Sequence, residues 1–359
     1  MRYRYIGDTG LAVSELCFGA MTFGGGASFL GAADRNWSEF GTVDDQNVER
    51  LMALALDSGI NFFDTADVYK NGTGEEFFGR TLKHVRDRVI IGTKGRWRVT
   101  GTGPNDFGAT RHHLTESVEA SLRRLQTDYI DLYHIHGFDP RTSLDETLRV
   151  LDDLVRSGKV RYLGVSNWAA WQLMKGLSVS ERRNLERFVV YQGYYNLGAR
   201  DLEWELIPLA VDQKVAITAW SPLAGGFLTG KYKRGEGRPS GSRLSEATPA
   251  ESAPLTDEDL AYDIVDEMQR IADARGATVA QVAINWVLAK PAVASAVIGA
   301  TKIHQLEDNL KAMEWTLTEE EVAALDKVSA TRVPYPYWHI ATVGADRKLP
   351  GDIYPPSPY

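Results

Sequence analysis

Eight short apolar runs recur along the chain and alternate with segments of helical periodicity. Each run is rich in β-branched and aromatic residues: Leu16–Met21, Ile60–Ala66, Arg88–Lys94, Tyr129–His136, Val160–Ser166, Phe188–Tyr194, Val215–Ser221 and Ala294–Ala300. In the intervals, apolar residues return every three or four positions, as at Val48, Leu51, Met52 and Ala55, which is the helical period. Alternating strands and helices predict parallel strands joined by helical crossovers.

The number and character of the runs favour a closed barrel. Residues 88–94 are apolar with little alternation, as in strands buried on both faces. Eight strand–helix repeats predict the α/β class and a (β/α)8 TIM barrel, with an open doubly wound sheet as the alternative. Residues 2–6 and 11–15 predict an N-terminal hairpin that closes the barrel floor. The interval 222–294 predicts extra helices near 257–275 and 278–290, and long loops are expected at the C-terminal face.

Length and composition narrow the class of protein. The 359 residues are interpreted as one domain, with a core of about 12–330 and a C-terminal loop or tail over 331–359. Lys plus Arg number 40 and Asp plus Glu 48, a net charge of −8, which argues against nucleic acid or an anionic membrane as partner. A single cysteine, Cys17, excludes an internal disulfide and a cysteine-based zinc site. The first residues lack the apolar core of a signal peptide, so we expect a cytoplasmic protein; the oligomeric state is left open.

Ionisable side chains close three successive runs. Asp64, Lys94 and His136 lie at run ends, where the active site of such a barrel forms. Burying them is costly unless they meet one another. With a nearby tyrosine they suit carbonyl reduction, since an ammonium about 4 Å from a phenol can lower its pKa by about two units. The phenol would then protonate the carbonyl oxygen while a cofactor supplies hydride.

Several longer motifs carry a family resemblance: Asn61–Tyr69, Gly92–Gly95, Asp131–His136, Gly164–Trp168, Ser221–Ala224 and Thr229–Tyr232. In combination they resemble the aldo-keto reductase family of NADP(H)-dependent oxidoreductases, in particular its bacterial aryl-alcohol-dehydrogenase-like members. The resemblance implies the same barrel and a catalytic tetrad of Tyr69, Asp64, Lys94 and His136, with Tyr69 as proton donor. His134 is interpreted as a buried packing residue, and Asp67 as the cap of the turn after the second strand.

The cofactor prediction rests on the same resemblance. No Gly-x-Gly-x-x-Gly motif joins a strand to a helix, so a Rossmann site is disfavoured. The resemblance implies a nicotinamide dinucleotide across the barrel mouth, with NADP(H) preferred and NAD(H) as the alternative. The implied cofactor-binding residues are Ala20, Met21, Asp64, Ser166, Asn167, Gln192, Trp220, Ser221, Pro222, Leu223, Ala224, Lys231, Arg243, Gly299, Thr301, Lys302, Gln305, Asp308 and Asn309.

The implied substrate is a small carbonyl compound or alcohol. Its expected contacts are Phe23, Trp97, Tyr69, His136 and Trp338. The aromatic and proline-rich segment 334–338 either forms a wall over the pocket or packs as an ordered tail on the surface. The mouth is rich in aromatic residues, which favours a bulky or ring-bearing substrate.

The predicted activity is the reversible reduction of an aldehyde or ketone. The alternative is a catalytically weak NADP(H)-binding regulatory subunit of the potassium-channel beta type, which shares the barrel and the motifs. A metal-dependent hydrolase on the same fold is disfavoured, because Lys94 beside Asp64 and His136 would repel a cation. No metal site is predicted.

Overall fold

The computed structural model describes residues 1–23, 43–236 and 257–343. Its strands are β1 Tyr3–Tyr5, β2 Ala12–Ser14, β3 Leu16–Gly19, β4 Phe62–Asp64, β5 Ile90–Gly95, β6 Ile130–Ile135, β7 Val160–Ser166, β8 Phe188–Tyr194, β9 Ala216–Trp220 and β10 Val293–Ile298. Its α-helices are α1 Asp45–Asp57, α2 Thr73–Leu82, α3 Arg111–Leu125, α4 Leu144–Arg156, α5 Ala170–Arg183, α6 Leu206–Asp212, α7 Glu258–Arg275, α8 Val279–Leu288, α9 Ile303–Lys311, α10 Glu319–Val328 and α11 Tyr337–Val343.

Strands β3 to β10 close into a barrel in sequence order, with β10 returning to pair with β3. Every neighbouring pair is parallel. Each strand lies within, or one residue from, one of the eight predicted runs. The (β/α)8 barrel is therefore confirmed, and the open doubly wound sheet is excluded.

The N-terminal hairpin is also confirmed. Strands β1 and β2 pair antiparallel, with Tyr3 opposite Ser14. Ile6 and Val13, both fully buried, share an apolar cluster with Cys17 and Phe62 of the barrel strands. The hairpin thus seals the amino-terminal end of the barrel, opposite the end that carries the polar run termini.

The helices begin at side-chain caps and pack one apolar face on the barrel. Asp44 accepts a hydrogen bond from the Asn47 amide, Thr110 from His113 and Ser143 from Glu146, so each satisfies an orphan donor of the first turn. In α1 the buried positions are the four that the sequence period predicts. Full burial of each such aliphatic side chain stabilises the fold by about 1.5–3 kcal/mol.

The C-terminal segment contains a helix that the sequence reading missed. The described residues after 331 include α11, and Tyr337 stacks at 5.7 Å on Trp204, which follows β8. Its phenol also contacts Glu205. The described part of the segment, up to residue 343, is therefore partly helical and packs beside the barrel. Within the described ranges, every helix is too short or too polar to cross a bilayer.

Candidate active site

The turn after β4 carries Tyr69 toward the barrel mouth. Residues Tyr69–Gly72 form a 3-10 turn in which Lys70 and Asn71 adopt left-handed φ angles of 50° and 55°. Such angles are uncommon away from glycine and hold the chain in a tight, specific path. The Tyr69 amide donates to the Ala66 carbonyl at 3.1 Å, which closes the turn above the end of β4. The Tyr69 side chain is partly exposed, so its hydroxyl-bearing ring borders the mouth.

Lys94 is fully buried beside this turn. Its ammonium donates to Asp64 Oδ2 at 2.6 Å and to the Thr65 carbonyl at 2.7 Å, and it lies 5.0 Å from the centre of the Tyr69 ring. Burial acts to lower the pKa of Lys94, but Asp64 and then Tyr69 raise it, and the net shift is upward. The lysine therefore stays charged next to the phenol.

Asp64 is held from two sides. Its Oδ1 accepts a hydrogen bond at 2.9 Å from the amide nitrogen of Gln192 on β8, across the barrel. Its Oδ2 receives the Lys94 ammonium. Both oxygens are thus used, and the carboxylate is fixed under the turn.

Two buried histidines lie at the carboxyl end of β6, His134 within the strand and His136 directly after it. His136 lies edge-on to Tyr69, with ring centroids 5.8 Å apart. Burial, followed by Lys94, lowers the pKa of His136 well below its usual range. Burial and Lys94 also lower the pKa of His134 to about 4. Both imidazoles are therefore neutral, and His134 is the fully buried packing residue that the sequence predicts.

Aromatic rings line two sides of the mouth. Trp97 lies 6.5 Å from His136, and Trp220 is tilted against Tyr194 at 4.6 Å. Tyr194 is not among the residues that the sequence analysis predicts for the site. Its position two residues after Gln192, on the same face of β8, was the signal that could have found it.

Asn167 connects the two walls. It accepts from the Trp220 indole at 3.2 Å and donates to the His136 carbonyl at 3.2 Å. Its φ of 59° is left-handed, a conformation that asparagine tolerates better than most residues. The exposed amide of Asn167 therefore sits at the end of β7, above the buried Ser166.

The loop after β9 forms a backbone cradle. Ser221, Ala224, Gly225 and Gly226 all have positive φ, which turns successive peptide groups toward one side and suits an anion. A Cβ on Gly226 would lie 2.9 Å from the ammonium of Lys231. The space that a side chain would occupy is thus next to a cation, and the loop fits the diphosphate of a dinucleotide. Pro222 and Leu223 belong to this loop.

The segment after β10 is organised around Gln305. Its Oε1 accepts from the amides of Thr301 and Lys302 at 2.9 and 3.2 Å, which caps α9.

The other predicted cofactor residues of this segment differ in exposure. Asp308 accepts from Thr278 and Gln281. Lys302 stays exposed, while Asn309 is buried and Gly299 is open to solvent.

Phe23, which the sequence predicts to contact the substrate, packs inside the core. Phe23 is fully buried and packs edge-to-face on Phe18, Phe77 and Phe78. The Phe23 ring therefore lies in the layer between barrel and helices, and its expected contact with substrate stays a prediction that this packing does not favour. Two neighbouring positions remain at the mouth: Ala20, whose amide donates to the backbone carbonyl of Asp64, and the exposed Met21.

Two further predictions concern the periphery of the mouth. Trp338 on α11 is 48% exposed and contacts Tyr335 and His339, with no described contact to the tetrad. Arg243 lies outside the described residues. Across residues 1–23, 43–236 and 257–343, no three His, Cys, Asp or Glu side chains are grouped so that they could hold a metal ion.

A closed parallel barrel with a charged lysine, a tyrosine and a neutral histidine at its carboxyl-terminal mouth has the architecture of a barrel oxidoreductase. The chain belongs to the aldo/keto reductase family, whose family model matches residues 15–330. This membership confirms the resemblance and makes the protein an oxidoreductase of that family. Proteins of this family typically bind nicotinamide cofactors.

Relatives of similar length carry different names. The chain is 36% identical to a probable voltage-gated potassium channel subunit beta of Arabidopsis thaliana, over 88% of this chain and 92% of the relative. It is 36% identical to an uncharacterized oxidoreductase, YrpG, of Bacillus subtilis, over 91% and 96%. It is 33% identical to versiconal hemiacetal acetate reductase of Aspergillus parasiticus, over 94% and 99%.

Proposed function

We propose that this protein is an NADPH-dependent reductase of aldehydes or ketones, acting reversibly, with Tyr69 as general acid. The observation that carries the proposal is the placement of Lys94. Its buried ammonium lies between the Asp64 carboxylate and the Tyr69 ring. A fixed cation beside a phenol favours proton release from that phenol, and no other described group at the mouth combines exposure with this support.

The side chains divide the chemistry between them. The hydride would come from the bound nicotinamide cofactor. Tyr69 would give its proton to the carbonyl oxygen as charge develops there. Lys94 would stabilise the phenolate that remains, and Asp64 holds Lys94 charged and in place.

His136 orients the substrate in this proposal. Its lowered pKa leaves it neutral, so it can donate one hydrogen bond to the carbonyl oxygen without competing as the acid. In the direction of alcohol oxidation the same groups run in reverse, with the Tyr69 phenolate as base.

The cofactor assignment is supported by the mouth's lining. Ser166, Asn167 and Gln192 present hydroxyl and amide groups at the ends of β7 and β8. The Trp220 ring would stack on the nicotinamide, and the 221–226 cradle with Lys231 would hold the diphosphate. The chain's own residues therefore suit each part of a dinucleotide.

The preference for NADPH over NADH rests on Lys302. This exposed lysine precedes α9, where a helix N-terminus favours an anion such as a 2′-phosphate. We expect Lys302→Ala to raise the KM for NADPH several-fold more than the KM for NADH. Lys311→Ala at the other end of α9 is the matched control. Equal effects on both cofactors would contradict this assignment.

The substrate we propose is a bulky, ring-bearing carbonyl compound. Trp97 lies beside His136, and Trp220 and Tyr194 form a second aromatic group at the ends of β9 and β8. Planar aromatic surfaces bind aromatic groups through burial and offset stacking. Aromatic aldehydes should therefore show a higher kcat/KM than aliphatic aldehydes of similar size.

The decisive experiment follows NADPH oxidation over a panel of aldehydes, ketones and quinones, with NADH in parallel. Tyr69→Phe should keep its affinity for NADPH and lose about 100-fold or more in kcat. Tyr5→Phe, at an exposed tyrosine of the hairpin, is the matched control and should behave as wild type. Near-normal turnover by Tyr69→Phe would remove Tyr69 from the role of acid.

A second candidate is a cofactor-binding regulatory subunit of a potassium channel. The names of the Arabidopsis and rice relatives favour it, at 36% and 37% identity. It predicts tight NADPH binding without turnover across the whole panel. The two candidates are thus separated by the same assay.

A further inference from the structure

A buried polar cluster lies directly behind the turn that carries Tyr69. It draws side chains from the turn itself and from α2, β5, α3 and β6. We call it the Asp67 cluster, and its members are Asp67, Glu75, Thr93, Ser117, Arg124 and Tyr133. None of these residues belongs to the predicted tetrad. The sequence predicts only that Asp67 caps the turn after the second strand.

Asp67 joins the catalytic turn to two other elements. Its backbone amide donates to the Lys94 carbonyl at 3.0 Å. Its Oδ2 accepts from the Ser117 hydroxyl at 2.8 Å, and Ser117 in turn accepts from the Tyr133 hydroxyl at 3.1 Å. Asp67 therefore fixes the turn against both the strand of Lys94 and helix α3. Asp67 lies between Asp64 and Tyr69 in the chain, so these contacts restrain the backbone that joins the two.

The space around this connection is tight. A Cβ on Gly95 would lie 2.0 Å from the Tyr133 hydroxyl and 2.5 Å from Ser117 Oγ. A Cβ on Gly72 would lie 2.5 Å from Arg124 Cδ. The cluster thus packs against the residue after Lys94 and against the end of the Tyr69 turn, with no room for either segment to shift inward.

The charges of the cluster do not balance. Glu75 is fully buried, and its two oxygens accept from Thr93 and from the Arg124 guanidinium, each at 2.6 Å. Arg124 is therefore committed to Glu75. Asp67 is the second buried carboxyl beside a single cation, and a buried pair of acids shares one proton more readily than it ionises twice.

The local contacts of Asp67 point the same way. Among the described residues its Oδ1 has no hydrogen-bond partner, although Asp67 is fully buried. Burial, followed by the neighbouring Glu75, raises the pKa of Asp67 to about 8, and the contacts from Ser117, Arg124 and the Val68 amide offset only part of this. Tyr133 faces Asp67 from β6, and burial together with Asp67 raises its pKa, so it stays a neutral donor.

We propose that Asp67 is a positioning residue for Tyr69 and Lys94, and that it holds the catalytic turn in place in its protonated form. Loss of that proton puts a second negative charge next to Glu75 of α2, and the turn relieves the repulsion by moving away from Glu75. Tyr69 then loses its alignment with Lys94. The proposal rests on the proposed reductase function. It adds the ionisation of Asp67 to that of Tyr69 as a limit on activity at alkaline pH.

The first test is the pH profile of kcat in the wild type, Asp67→Asn and Asp67→Ala. In the wild type, kcat for carbonyl reduction should fall as pH rises through about 8. Asp67→Asn keeps a neutral side chain that can bond to Ser117, so only the ionisation of the acid Tyr69 should remain and the alkaline fall should become less steep. Asp67→Ala loses the bond and leaves a cavity, so kcat should fall about tenfold to a hundredfold at every pH, with a smaller change in KM. Asp152→Asn, at a buried aspartate of α4, is the matched control and should keep the wild-type profile.

An Asp67→Asn profile that falls as steeply with pH as that of the wild type would overturn the proposal. So would equal kcat losses in the Asn and Ala variants, which would indicate a structural role without a role for the proton. The proposal predicts rescue by asparagine but not by alanine, together with a less steep alkaline fall in the asparagine variant.

A second measurement needs neither turnover nor a variant. Infrared spectroscopy of protein labelled at the aspartate carboxyl carbon should show the band of a protonated acid at pH 7, which disappears as pH rises through about 8. Hydrogen exchange of the peptide covering residues 64–72 should accelerate over the same range. Absence of the acid band at pH 7 would overturn the proposal. If the panel shows no turnover but the band titrates, the proposed reductase function fails while the state of Asp67 stands.

Discussion

Gln192 and Asp64 meet across the barrel, 128 positions apart in the chain, through a hydrogen bond of 2.9 Å from the amide nitrogen to Oδ1. Lys94 occupies the other oxygen of the same carboxylate. A side chain with two acceptor oxygens is therefore required, because both neighbours are donors. The contact also explains how a residue of β8 can influence the charge of a lysine on β5.

Asp64→Asn should be strongly destabilising because asparagine has only one acceptor oxygen. Its NH2 group would face either the Lys94 ammonium or the Gln192 amide, and the buried cation would lose its counter-ion. We expect the free energy of unfolding, measured by urea denaturation, to fall by about 3–5 kcal/mol.

Gln192→Ala is the matched control for this experiment. It removes a neutral donor and leaves the ion pair intact, so the loss should be smaller, about 1–3 kcal/mol. An Asp64→Asn protein as stable as the control would contradict the assignment of Lys94 as a charge that Asp64 compensates.

Gly95→Ala tests the close approach between β5 and the Asp67 cluster. The added methyl group would lie 2.0 Å from the Tyr133 hydroxyl, which no relaxed side chain tolerates. We expect a loss of about 1–3 kcal/mol from overpacking, partly recovered when Tyr133→Phe removes the hydroxyl in the same chain. Gly10→Ala is the control, since its methyl group meets no atom within 4 Å.

The coupling energy of the double-mutant cycle is the readout of that experiment. Strictly additive effects of Gly95→Ala and Tyr133→Phe would show that the hydroxyl is not the group in the way. Coupling of the expected sign would locate the constraint next to Lys94.

The barrel and three of the four tetrad positions could be predicted because they follow from local period, whereas the role of Tyr69 came from the family resemblance. Apolar runs end where strands end, and a polar residue at a run end lies at the mouth. Asp64, Lys94 and His136 come together for that reason, and the burial of His134 follows from its place two residues before His136 on the same strand face.

The remaining features depend on contacts between distant segments. Phe23 stands two residues after the first run, but it packs against the aromatic rings of α2 in the core. Asp67 follows a strand like the tetrad residues, yet Ser117 of α3, fifty positions away, determines its environment. The periodicity of a sequence predicts which face of a helix or strand is buried. It does not predict which distant residues pack against that face.

The next prediction concerns Asn167. Two substitutions there distinguish the residue's role in the left-handed backbone from its role in cofactor binding. Asn167→Gly keeps the left-handed φ of 59° at no steric cost but lacks the amide, whereas Asn167→Ala lacks both. Both variants should lose NADPH affinity to a similar extent, measured by quenching of tryptophan fluorescence. Only the alanine variant should also lose about 1–2 kcal/mol of stability.

Equal stability of the two Asn167 variants would indicate that the turn relaxes. Unchanged NADPH affinity in both would remove Asn167 from the cofactor site while leaving its bonds to Trp220 and His136 as structural contacts.

The last prediction concerns stability in acid. The pKa of His134 is about 4 in the folded protein, below the value of about 6.5 for histidine in an unfolded chain. The unfolded state therefore binds the proton first as pH falls. The contribution of neutral, buried His134 is fully present above pH of about 6.5 and is lost toward pH 4, by up to about 3 kcal/mol.

His134→Leu removes this titration while keeping an apolar side chain of similar length in the barrel. Its free energy of unfolding should decline less steeply than that of wild type between neutral pH and pH of about 4, by urea denaturation at several pH values. His84→Leu, at an exposed histidine, is the matched control for the substitution of a histidine by leucine. His136, whose pKa is also lowered, keeps part of the slope in the His134 variant, so the slope should shrink without vanishing; an unchanged slope would mean that His134 is already protonated in the folded barrel.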